Sequence, residues 1–127
     1  MTKVKFSHMV PMLPVRDVQN TIQFYRDELG FGDLWTWGDP TTEFGLRRDE
    51  MAFIFSYDPQ RNERSEGLEV MVVLFGVNEL WEELSGRNVQ VTDPIDDKPW
   101  GTREFAIRDV NGYYLRFTQG LDLIDPE

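Results

Sequence analysis

Glu43-Phe44-Gly45-Leu46-Arg47 returns as Glu104-Phe105-Ala106-Ile107-Arg108, an offset of 104 − 43 = 61 positions in a chain of 127. Both copies place apolar side chains at every second position, the pattern of a strand with one face turned to a core. Each copy then leads through an Asp-containing turn into a further strand-like run, Arg48-Asp49-Glu50 before 51–57 and Asp109-Val110-Asn111-Gly112 before 113–118. The offset is close to half the chain, so the pair points to an internal duplication.

The same order of elements flanks the two copies. Ahead of the first copy, residues 8–15 read as extended. Pro11 and Pro14 there suit an edge or exchanged strand better than a central one. Asp17 then opens a helix whose apolar face is Ile22, Phe24, Tyr25 and Leu29 and which Gly30 ends, and 31–37 reads as a strand. Ahead of the second copy lie a buried strand at 68–75 and a short helix from Asn78 through Leu80, Trp81 and Leu84. A strand around Val89 and Val91 and a loop over 92–101 follow. Asn111-Gly112 is a strong turn signal for the last hairpin. The polar stretch 58–67 reads as a linker or mobile loop between the halves. The expected organisation is one domain over 1–127, with a first module at about 1–60 and a second at about 67–121.

Composition narrows the chemistry. There are no cysteines, which removes thiolate nucleophiles and sulfur-ligated metals, and His8 is the one histidine. A multi-histidine metal set therefore cannot be built within one chain. Asp and Glu number 23 against 13 Lys and Arg, a net charge of −10. Nucleic acid and anionic membranes would be repelled. A cationic small molecule would be attracted, although the same charge also makes a plain soluble surface. The longest apolar run, 70–77, is far short of the roughly 20 residues of a membrane helix, and no signal-like start is seen, so a cytoplasmic location is expected. Four Trp, nine Phe and four Tyr are enough to fill a core and still supply a ligand site.

Several familiar chemistries fail on inspection. Gly30-Phe31-Gly32 follows a helix instead of opening one and is a helix stop. Ser7 and His8, as neighbours on a strand, would point to opposite faces and could not pair as nucleophile and base. Asp109-Val110-Asn111-Gly112 resembles the start of a calcium loop but runs directly into a strand, as a hairpin turn does.

The segments 11–17, 24–31 and 99–109, with Asn111-Gly112 and Arg116-Phe117-Thr118, resemble the vicinal-oxygen-chelate superfamily. That superfamily holds glyoxalase I, extradiol dioxygenases, fosfomycin-resistance enzymes and bleomycin-resistance proteins, and the likeness is closest to the bleomycin-resistance branch. The resemblance implies an α+β fold of two tandem βαβββ modules whose curved sheets enclose a concave cleft. The positions at which metal-dependent members carry their ligands fall here on Val10, Ile54, Val70 and Arg116. None of these holds a divalent ion, and a guanidinium would repel one.

The resemblance further implies a non-catalytic, metal-free and cofactor-free homodimer with exchanged N-terminal strands. Such a dimer sequesters a cationic glycopeptide drug of the bleomycin type. The implied stacking ring is Trp100, which matches an aromatic position of that branch, and the further candidate ligand contacts are Trp35, Trp37, Phe44, Ile54, Arg116 and His8. Core filling is the alternative for Trp35, Trp37 and Phe44, and an ion pair with a nearby Glu is the alternative for Arg116. Flat rings would stack on the drug, and Asp39, Glu43, Asp96 or Asp97 would face its charge. The alternative is a metal-independent isomerase or lyase, with His8 or a carboxylate as base and Arg116 steadying a small anion. The sign of the cleft separates the two.

Overall fold

The computed structural model describes residues 3–126. Eight strands fall into two four-stranded sheets of identical topology. The first module contributes β1 (Met12–Val15), α1 (Val18–Gln23), β2 (Gly32–Trp37), β3 (Glu43–Arg48) and β4 (Met51–Tyr57). After α2 (Pro59–Ser65) the second contributes β5 (Glu69–Val73), α3 (Val77–Leu84), β6 (Gln90–Asp97), β7 (Thr102–Arg108) and β8 (Tyr114–Gly120). The strand orders are β1-β4-β3-β2 and β5-β8-β7-β6, in each case with one parallel outer pair and two antiparallel pairs. The duplication read from the two pentapeptides is thus a duplication of whole βαβββ units.

Local chemistry explains the elements. The Asp17 carboxylate accepts the Asn20 N–H at 2.9 Å and caps α1. The helix continues as a π turn over Phe24–Glu28, which swings Phe24 and Tyr25 inward before Gly30 leaves it at φ +75°. In the last hairpin the Asp109 carboxylate accepts the N–H groups of Asn111 and Tyr113, each at 2.9 Å. Gly112 supplies the positive φ that the turn needs.

The structure departs from the sequence reading in three places. The polar stretch 58–67 is mostly helix: Asp58 caps α2 through Arg61 N, Pro59 sits at its first position, and the buried Asn62 ties it to the carbonyls of Pro14 and Asn111. The expected loop 92–101 is largely strand. Pro94 lies inside β6, tolerated because β6 is the outer strand of its sheet and its register is interrupted by bulges. Strand β5 is an outer strand too, with Met71 and Val73 exposed, so it is not the buried strand its composition suggested. The N-terminal segment, read as an edge or exchanged strand, does lie at the edge of its sheet, but it is a strand only over Met12–Val15 and pairs with β4 of its own chain. Residues 3–9 are exposed, Phe6 and Met9 included.

Buried side chains of both modules join in a single core. Tyr25 is fully buried against Phe24, Phe31, Phe53 and Phe55, with ring centroids 4.9–5.8 Å apart. Its hydroxyl donates to Asp109 of the second module at 2.6 Å. Across the seam Arg48 grips Glu83 with both terminal nitrogens, and Arg16 reaches Glu66 and the Val110 carbonyl. No helix among the described residues is long and apolar enough to cross a membrane.

Candidate functional site

Strand register aligns one row of side chains across the outer face of each sheet. In the first module the row is Met12, Ile54, Gly45 and Trp35, and in the second it is Met71, Arg116, Ala106 and Asp93. The facing follows from alternation: Leu13, Phe44 and Phe55 occupy the opposite face and are core. The first row is uncharged, whereas the second sets a guanidinium and a carboxylate on one face.

The second row floors a groove of about 380 Å³. Glu69 and Met71 reach it from β5, Arg116 from β8, Glu104 from β7 and Asp93 from β6, and Lys98 and Trp100 come from the turn between β6 and β7. Arg116 is the hub. Its Nε donates to Glu69 at 2.7 Å, and its Nη1 donates to Asp93 at 2.9 Å and to Glu104 at 3.4 Å. Asp93 is shared with Lys98 at 3.0 Å. Three carboxylates therefore stand against two cations.

Glu104 is 1% exposed and owes its place to a ring of donors. One oxygen accepts Thr118 at 2.8 Å, Thr102 at 2.9 Å and the Trp100 indole N–H at 3.5 Å. Burial pushes its carboxyl up, but the bonds from Thr118, Thr102 and Trp100 and the charge of Arg116 more than offset this and leave it below the usual range. Hydrogen bonds from Arg116 and then Lys98 hold Asp93 low. Arg116 is raised in turn, chiefly by its bond to Asp93. All three are charged at neutral pH.

The turn that carries Trp100 is pinned at its base. Lys98 N donates to the Thr102 carbonyl at 2.7 Å, Gly101 N to the Lys98 carbonyl at 3.0 Å, and Leu121 N to the Gly101 carbonyl at 2.9 Å. Trp100 nevertheless remains 68% exposed, so a rigid turn presents an open indole face over the groove.

Of the side chains expected at a ligand site, this groove gathers only Trp100 and Arg116. Trp35, Trp37 and Ile54 lie on the first sheet; both tryptophans are exposed. The Trp35 indole lies over Gly45, where an added Cβ would meet its Cε2 at 2.7 Å. Phe44 has no accessible surface and stacks on Phe55, with centroids 5.2 Å apart, so it offers no face to a ligand. His8 sits on the exposed N-terminal segment, where its Nδ1 is 2.8 Å from Ser7 Oγ. That contact corrects the expectation that the two point apart: residues 7 and 8 are not in a strand, and alternation does not apply to them.

Other expectations shift as well. Met71, not Val70, lies beside Arg116, while Val70 packs against the core. The four positions at which a metal could be held thus offer aliphatic, thioether and guanidinium groups, a donor set unfit for a hard divalent ion. Among the described residues no three His, Asp or Glu side chains are placed to hold one. Asp39 and Glu43 belong to the first module, and Asp97 is spent on Arg103, at 2.7 Å. The carboxylates that do line the groove, Glu69, Asp93 and Glu104, were not among the acidic candidates, although an ion pair of Arg116 with a nearby Glu was one of its two expected roles. Glu104 stood in the repeated pentapeptide itself, and strand alternation from Arg116 and its partner strand would have found Glu69.

The profile of the Glyoxalase/Bleomycin resistance protein/Dioxygenase superfamily matches residues 5–117. The chain belongs to this superfamily. Among solved structures, the bleomycin-binding protein from bleomycin-producing Streptomyces verticillus, complexed with copper(II)-bleomycin, is 28% identical, with a TM-score of 0.76 over 93% of this chain and 99% of that one. The bleomycin resistance determinant encoded on the transposon Tn5 is 23% identical, with a TM-score of 0.76 over 91% of this chain and 98% of that one. TioX from Micromonospora sp. ML1 is 22% identical, with a TM-score of 0.77 over 91% and 100%. The last two bear on the fold alone. Among curated proteins none matches this sequence. Within the superfamily, this chain is one whose sheets keep the paired βαβββ frame while its groove is built on an ion-paired arginine.

Proposed function

We propose that this protein binds, without altering it, a cationic aromatic drug of the bleomycin glycopeptide type. The observation that carries the reading is the groove beneath Trp100, where three carboxylates outnumber two cations and the arginine at the floor is already ion-paired. A small anion steadied by Arg116 would add a negative charge to the three carboxylates already around it, which counts against an isomerase or lyase of that design. The likeness at 28% identity to a protein complexed with copper(II)-bleomycin supports the same ligand class.

The working form in this proposal is a homodimer. Met12, Trp35 and Trp37 on the first sheet and Met71 and Val73 on the second are exposed apolar side chains on open sheet faces, which a second subunit would cover. Because Met12–Val15 pairs within its own sheet, the segment exchanged is the exposed stretch ahead of Pro11. Light scattering at micromolar concentration should give twice the chain mass, and a monomeric mass would sink the dimer.

The binding test is a tryptophan-fluorescence titration with metal-free and copper(II)-loaded bleomycin at low and moderate salt. Saturable quenching near one drug per subunit, weaker in salt and lost in Trp100→Ala, is expected. Absence of binding at tens of micromolar drug would remove the drug assignment and leave the family membership in place.

A further inference from the structure

We propose that Arg116 reads an uncharged hydrogen-bond acceptor on the ligand, an amide or carbonyl oxygen, and that the same contact rejects a carboxylate. The proposal rests on the reading of this groove as a ligand site. A guanidinium holds five N–H donors in one plane. In Arg116 the Nε and Nη1 donors are spent on Glu69, Asp93 and Glu104. Nη2 donates to nothing among the described residues, and the side chain, 22% exposed, lines the groove together with Trp100. Two N–H donors are thus held in a fixed direction with no protein acceptor.

Charge decides which acceptor suits them. Three carboxylates already surround this one guanidinium, and Lys98 is engaged with Asp93. A ligand carboxylate at Nη2 would add a fourth negative charge to the cluster. A neutral carbonyl would gain a charge-assisted bond without that repulsion. The surplus negative charge would meanwhile favour a cation elsewhere on the same ligand. Arg116 is then no obstacle to a cationic drug; it selects for a planar, amide-bearing body stacked on Trp100.

The test uses two aromatic probes that differ in one group, naphthalene-2-carboxamide and 2-naphthoate, titrated at neutral pH into the full ¹⁵N-labelled chain. The Trp100 indole N–H and Arg116 Nε–H signals are followed by NMR. The carboxamide should bind more tightly by about fivefold or more, as expected for one charge-assisted bond against one repelled charge. Glu69→Gln removes a half-exposed carboxylate and should narrow the preference by strengthening naphthoate. Arg116→Lys keeps a cation but loses the fork and should abolish the preference. Equal or tighter binding of naphthoate to the wild type overturns the proposal, as does an unchanged preference in Glu69→Gln or failure of both probes to shift the Trp100 signal. If the preference holds while copper(II)-bleomycin does not bind, the inference stands and the drug assignment falls.

Discussion

Glu104 shows how one residue can be wholly a product of its surroundings. Its counterpart Glu43 is half-buried in the open first sheet, whereas Glu104 is enclosed by Thr102, Thr118, Trp100 and Arg116. Replacing it by Ala would strand several donors, and we expect a loss of about 2–4 kcal/mol in urea unfolding. Glu104→Gln should cost less and leave the fold intact for binding work. The pH dependence has a definite sign. Glu104 and Asp93 titrate lower in the fold than unfolded, so they stabilise fully above the unfolded carboxyl values near pH ~4, and the contribution is lost as pH falls through their folded values. Asp109 acts in reverse: burial raises it, so it disfavours the fold as pH rises through that raised value. Thermal melts of Glu104→Gln against wild type below pH ~5 should therefore show a shallower acid-induced fall in the variant. An equal fall in both would show that Glu104 does not contribute.

At the scale of elements, the strands repeat but their outer faces do different work. On β2 and β3 the Trp35 indole rests on Gly45, and only a residue without a Cβ allows that approach. The matching pair on β6 and β7 is Asp93 and Ala106, where an acidic side chain turns to Arg116 and no ring needs the space. Gly45→Ala should lift the indole from the sheet, shifting its fluorescence emission to the red with the fold retained. An emission spectrum unchanged from wild type would show that the ring has another support. Element types followed from alternation and capping residues. The errors fell on α2, β5 and β6, where strand position and tertiary packing outweighed local composition: Asn62 is pulled into the core by two carbonyls, and Pro94 is harmless on an outer strand.

For the whole molecule, the joint between modules is a polar bond inside an aromatic core. Tyr25→Phe removes the hydroxyl that donates to Asp109 and leaves a buried carboxylate one donor short, which should cost about 1.5–3 kcal/mol. Chemical denaturation measures this, and a cost near zero would mean that Asp109 finds another partner. The duplicated frame, the acidic charge and the lack of thiols were all settled by the order and kind of residues, because they depend on periodicity and on which atoms exist at all. Which carboxylates meet Arg116, that Phe44 is core, and that Trp100 and not Trp35 stands over the groove were decided only in three dimensions. Register between strands distant in sequence chooses the neighbours, and a slip of one residue, as between Val70 and Met71, exchanges a core side chain for one in the groove.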